Sequence, residues 1–305
     1  MNQDILKKRI QKQITQIKRL RESFDNLSNE FRKNPDSFNE WCEYEWCKNI
    51  FGNGLIRLRQ ITKQNFFFIE TISLLATTRY IFELSVWLYL VDKDAKYGLV
   101  YYWELLETQL KYYRDTLKQL HREINLLNKF DQKDRQATLK ATLNIFKSIV
   151  EDTERDFEIS DAIRRAMTEV DIEAYKKFSI YIDDAKINGY GFQAYLVETK
   201  AIPQVQRAIA EIEKKLSEFQ LHVDTEIMNI IPKRWNWRQM AQKVGKEEEY
   251  DYIYTYTSKL IHATPASLTT NQKNLELSEV YIFLRYIYVN LCEIIALAKK
   301  QLKII

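Results

Sequence analysis

Residues Leu55–Val91 read LIRLRQITKQNFFFIETISLLATTRYIFELSVWLYLV, a stretch without a single proline or glycine. The apolar residues of its second half fall on nearly every side of a 3.6-residue period. A helix that is apolar all round belongs at the centre of a bundle. The run Phe66 to Leu90 is also long enough to cross a bilayer. It carries Glu70, Arg79 and Glu83, however, each costing about 2.5–3.5 kcal/mol at membrane depth. The expectation is a buried core helix and no membrane contact.

The rest of the chain supports a helical reading. Six Gly and four Pro occur in 305 residues, far below average usage of roughly 7% and 5%. Strand-rich folds need turn residues every few positions, and this chain does not supply them. The spacing therefore predicts an all-α protein, a multi-helix bundle with a long N-terminal amphipathic helical arm. Within residues 3–33, Ile10, Ile14, Ile17, Leu20, Phe24, Leu27 and Phe31 form a seam of coiled-coil type. Asn34-Pro35-Asp36 should end that helix.

A short aromatic helix with Trp41, Tyr44, Trp46 and Phe51 follows, with a break expected at Gly52-Asn53-Gly54. Further helices are expected over about 96–128, 133–157, Pro203 to Ile231 and from Leu275 onward. In the last, apolar residues at 277, 280, 284, 287, 291, 294 and 298 keep a helical period. Residues 1–35 form the expected arm, and 36–305 a single bundle with an irregular cap near 158–201.

Charge and cysteine usage narrow the possibilities. The 46 basic and 42 acidic residues nearly cancel, and a pI of about 8.7 permits nucleic-acid contact without requiring it. Cys42, Cys47 and Cys292 are an odd number and read as reduced thiols. With three histidines and no zinc spacing, neither a metal nor a cofactor is expected. Lys7, Lys8, Arg9 and Lys12 interrupt any apolar leader, so a cytoplasmic location is expected.

Two segments concentrate polar residues where they are costly. Arg79 and Glu83 share one face of the apolar helix, four residues apart. After Trp235, Tyr250, Tyr254, Ser258 and His262 repeat every four residues and end at His262-Ala263-Thr264-Pro265. An arginine and a glutamate in an apolar helix need completed hydrogen bonds, and Tyr254, Ser258 and His262 are suited to complete them. The expected cluster is Arg79, Glu83, Tyr254, Ser258 and His262, serving either as a polar staple or as a small-molecule pocket with His262 as a base.

Arg-x-x-x-Glu at Arg79 and Glu83, together with Trp237, Met240-Ala241, Gly245, Tyr250, Tyr254, Ser258 and His262, resembles the signature of a family of bacterial all-helical proteins of unknown function. The resemblance covers roughly residues 60–120 and 230–298. It implies the helical fold and brings no established activity. An accessory role in a bacterial nucleic-acid-handling or defence complex is the function expected at this level.

Arg114 and His121, with six residues between them, are similar to the Arg-x(4–6)-His pattern of HEPN-class ribonucleases, which pair two such helices across a dimer. At His262 the pattern fails, since Tyr256 and Thr257 stand where an arginine is needed. No phosphate loop, paired-carboxylate metal motif or Ser-His-Asp set is present. The basic residues Lys7, Lys8, Arg9, Lys12, Lys233, Arg234 and Arg238 are candidate contacts for a partner or for weak, electrostatic nucleic-acid binding. The expected partners are a second copy of the chain, forming a homodimer, and a further protein such as a nuclease.

Overall fold

A computed structural model describes residues 3–33, 38–66, 70–148, 152–262 and 274–303. The described residues are all-α, with no strand among them. The expected stop at Asn34-Pro35-Asp36, residues 67–69 of the apolar run and the Ala263-Thr264-Pro265 end of the ladder lie outside them. The chain forms two compact units, residues 1–104 with 219–305, and residues 105–218.

The first unit is built around α4 (Thr71–Lys93). Glu70 starts this helix: its carboxylate accepts the N–H groups of Ile72 and Ser73 at 3.2 and 2.9 Å, covering two of the orphan donors of a helix N-terminus. Leu75, Ile81, Phe82, Val86, Leu88 and Leu90 are fully buried. They are enclosed by α3 (Glu43–Gln64), α11 (Trp237–Lys243), α13 (Thr255–Ile261) and α14 (Leu277–Gln301). Helix α14 opens with a reciprocal capping box between Glu276 and Glu279. It buries Val280, Leu284, Ile287, Leu291, Ile294 and Ala298, the expected period. Helices α4 and α14 are long and apolar enough to cross a bilayer by length and composition. In each, half or more of the apolar window is buried inside the protein (61% and 50%).

The N-terminal segment differs from one continuous helix. It divides at Leu20 into α1 (Gln3–Arg19) and α2 (Arg21–Phe31). Helix α1 lays Leu6, Ile10, Ile14 and Ile17 toward α14, while α2 packs mainly on α3. The two helices have different neighbours, and the turn at Leu20 lets each face its own. Arg21 secures it by donating to the Thr62 carbonyl of α3. The seam residues Ile17, Phe24, Leu27 and Phe31 are thus covered within the chain.

Gly52-Asn53-Gly54 does not break the chain, because α3 runs through it. A helical glycine costs only about 1 kcal/mol, and this stretch is packed: Phe31 stacks on Phe51, and Gly52 and Gly54 are buried. The junction expected between 128 and 133 is likewise absent. Helix α5 (Tyr97–Ser148) continues through it, since Phe130 is buried and Asp131 pairs with Arg135 one turn later at 2.8 Å.

The second unit packs the greater part of α5 with α6 (Asp152–Tyr175), α7 (Ile182–Asn188), α8 (Tyr190–Leu196) and most of α9 (Ile202–His222). A single π-turn, Val197–Ala201, joins α8 to α9. Its core includes Leu120, Leu127, Phe130, Ala174, Tyr190 and Val197. Glu123 is buried there as an anchor for the turn before α7: its carboxylate accepts from Gln119 Nε2 at 2.8 Å, Ile180 N–H at 3.2 Å and the Ser179 hydroxyl. The helix expected from Pro203 to Ile231 ends earlier, at His222. Helix α10 (Thr225–Ile230) follows in the first unit.

Gly98 marks the closest backbone approach in the first unit. A Cβ there would lie 2.4 Å from the Glu43 carbonyl and 3.1 Å from the Trp46 Cβ. Gly98→Ala should therefore lower stability by about 1–3 kcal/mol through overpacking. Gly52→Ala, whose Cβ would meet Phe31 at an ordinary 3.4 Å, should gain up to about 1 kcal/mol. Urea denaturation of the two variants checks the opposite signs.

Candidate functional site

Arg79 projects from the middle of α4 toward the helix opposite. Its Nε donates to Glu83 Oε1 at 3.0 Å, Nη1 to Ser258 Oγ at 3.2 Å and Nη2 to the Tyr254 hydroxyl at 2.6 Å. The guanidinium carbon also lies 4.2 Å from the centroid of the Tyr254 ring, a cation–π distance. Three of the five guanidinium N–H groups are thus engaged, two of them by another helical segment.

That segment is not a plain α-helix. Tyr250–Tyr254 forms a π-turn leading into α13. Tyr250 and Tyr254 stack at 4.7 Å, and both rings lie 6.2 Å from Phe82. Such turns occur mostly as single insertions in helices, often at functional sites. Burial pushes the Tyr254 phenol up, and the neighbouring Arg79 charge opposes the shift. The phenol therefore stays protonated at neutral pH and can both donate and accept.

The cluster differs from the expected one in two respects. Arg79 and Glu83 each keep a quarter of their side-chain surface exposed (25%), so water shares their solvation and the pair is not fully buried. His262 sits beyond Ser258 as the C-cap of α13, exposed, with its N–H bonded to the Ser258 carbonyl at 3.3 Å. Arg79, Glu83, Tyr254 and Ser258 therefore make one bonded group, with His262 one turn further on.

A second polar network escaped the sequence reading. Lys246, with 8% of its side chain exposed, donates to Glu249 at 2.7 Å and to Asn290 and Glu293 at 3.4 Å. Its Nζ lies 5.1 Å from the Tyr89 ring centroid, and the Tyr89 hydroxyl donates to Glu293 at 3.3 Å. Tyr286 donates to Glu249 at 2.8 Å. Burial, followed by the Glu293 charge, pushes the Tyr89 phenol up to about 12, and burial followed by Glu249 raises Tyr286 strongly. A signal did exist: Tyr286, Asn290 and Glu293 form a polar stripe at helical spacing on the otherwise apolar α14.

The remaining candidates are not gathered into a site. Arg114 and His121 lie two turns apart on α5, both exposed, and Arg114 is paired with Glu213 at 2.7 Å. Arg238 is drawn toward Glu247 and Asp251 at 3.4 and 3.3 Å. Lys233 and Arg234 are exposed, while Trp235 between them and α11 stacks on Trp87 at 4.1 Å and does not face outward as a base-stacking platform. Lys7, Lys8, Arg9 and Lys12 line the exposed side of α1. The Cys47 thiol, raised to about 12 mainly by burial, is no nucleophile. Among the described residues no three His, Cys, Asp or Glu side chains are grouped to hold a metal.

A family model described as a family of unknown function (DUF5677) matches residues 71–279. No curated protein and no solved structure matches the chain.

Partial exposure sets the magnitude expected of the Arg79 cluster. Glu83→Ala should cost about 1–3 kcal/mol, the range for a charge-assisted bond lost from a partly solvated site. Tyr254→Phe should cost about 1 kcal/mol, since the ring remains over the guanidinium. Urea midpoints test both. A Glu83→Ala protein with unchanged stability would exclude a structural staple.

Proposed function

The chain belongs to the DUF5677 family of unknown function, and on that premise we propose that it is a non-catalytic helical interaction protein. In this reading it assembles as a homodimer and serves as an accessory subunit of a complex that handles nucleic acid. The observation that carries this reading is an exposed apolar surface in the second unit. Tyr175, Phe178, Ile180, Ile187, Phe192 and Tyr195 are all exposed between residues 175 and 195, with Phe178 at 84% and Ile187 at 85%. Single exposed apolar side chains are ordinary, but a concentration of large ones marks an interaction surface.

The polar clusters support a scaffold more readily than a reaction centre. Arg79 and Lys246 spend their charge on contacts inside the first unit. Arg114, the arginine of the ribonuclease-like pair, is held by Glu213. A second copy is the occupant proposed for the Phe178 and Ile187 surface, because the N-terminal seam is already used within the chain. A nuclease is the further partner this reading expects.

Light scattering at micromolar concentration should show a particle of about twice 36.6 kDa. Phe178→Asp with Ile187→Glu should convert it to monomer without changing its helical circular dichroism, since both side chains are already in water. A wild-type protein that is monomeric under these conditions would rule out the dimer.

A further inference from the structure

We propose that the outer face of α1 is a nucleic-acid docking stripe, formed by Lys8, Lys12 and Arg19 and recognising phosphate backbone independently of sequence. This deepens the reading of the chain as part of a nucleic-acid-handling complex and rests on it.

The stripe follows from helix geometry. At about 100° per residue, Lys8, Lys12, Thr15 and Arg19 fall within an arc of about 60°. That arc lies opposite Ile10 and Ile17, which are buried. The apolar side of α1 is packed toward α14, so the helix is fixed and its cations point to solvent. A shallow groove on this face is lined by Lys8, Gln11, Lys12, Thr15, Gln16 and Arg19.

The charge on this face is uncompensated. Asp4 is the one acid of α1 and stands a turn before Lys8. Lys8, Lys12 and Arg19 make no ion pair among the described residues, whereas Arg59 pairs with Asp25, Arg79 with Glu83, Lys96 with Glu226 and Lys300 with Asp92. Lys8 and Lys12 are separated by four residues, a rise of about 6 Å along the helix, and Arg19 continues the row. Successive phosphates of one strand are separated by a comparable distance. Between the cations stand Gln11, Thr15 and Gln16, side chains of the kind that bond phosphate oxygens and orient a backbone.

An anionic membrane is the other surface such charge could meet. A helix that lies in a membrane interface must insert an apolar face, and the apolar face of α1 is buried in the protein. The flanks of the stripe are amide and hydroxyl side chains. This chemistry fits a solvated polyanion.

Fluorescence anisotropy of the full chain with labelled single-stranded RNA, single-stranded DNA and duplex DNA of unrelated sequences tests the proposal. Binding is expected to all of them at 50 mM salt and to weaken about 40-fold by 200 mM on duplex, as release of about three counterions requires. Lys8→Glu/Lys12→Glu/Arg19→Glu should abolish it, and the corresponding Gln variant should flatten the salt dependence. Lys233→Glu/Arg234→Glu should leave it intact. Thermal melts verify folding of each variant, and light scattering on the same samples reports assembly separately, so loss of the stripe and loss of the dimer are distinguishable. No binding by the wild-type chain at 50 mM salt would overturn the proposal. So would binding that survives charge reversal in a folded variant, or retention on phosphatidylserine vesicles but not on oligonucleotides.

Discussion

Arg79 occupies the middle of a helix that is otherwise apolar nearly all round, and it cannot be placed there without partners. Lys or Asp at the end of a helix can turn into solvent, but a guanidinium in mid-helix is met by whatever packs against it. Glu83, one turn along, supplies the counter-charge from the same face. The other bonds come from Tyr254 and Ser258, which fixes both the neighbour of α4 and its rotation. The Tyr250–Tyr254 π-turn, the stack of two tyrosine rings and their contact with Phe82 all follow from bringing those hydroxyls to one guanidinium. A quarter of the pair remains exposed, so the desolvation this requires is modest and the polar group coexists with the apolar core around it.

The elements legible in the sequence are those decided by local periodicity. Helix α4 is readable because its apolar residues leave no polar face, and α14 because its spacing holds for six turns or more. The group at Arg79 is readable because i, i+4 spacing on two helices places like chemistry on facing stripes. What escapes is set by neighbours distant in sequence. Gly52 and Gly54 punctuate a chain read alone, yet their helix continues because Phe31 and Leu84 pack beside them. Lys246 is surrounded by glutamates and reads as surface. Only the return of α14, with Asn290 and Glu293, makes it a buried cation. The exposed aromatic residues between 175 and 195 carry no motif, and their exposure emerges only from which helices cover them.

The described cations fall into two groups with different physical roles. Those that approach the interior, Arg79 and Lys246, are matched by carboxylates and hydroxyls, as desolvation demands. Those on the outer face of α1 are left without such partners and keep their hydration. The first group confers register and the second confers a field. Self-repulsion along α1 is tolerated because water screens charges more than about 10 Å apart at ordinary ionic strength, and because the buried seam on the opposite side holds the helix in place.

The π-turn also constrains how the chain can change its length. One residue more than an α-helical turn requires is accommodated between Tyr250 and Tyr254. Removing any one residue there would restore α-helical winding and rotate everything that follows by about 100°. Ser258 would swing away from Arg79 while Thr257, now buried and bonded to the Ile253 and Tyr254 carbonyls, would be carried out of the core. Upstream, Glu249 would keep its place beside Lys246. Substitutions in this segment act on one side chain at a time, but a single-residue deletion would uncouple its two polar networks at a stroke, so the length of this turn is held more tightly than its composition.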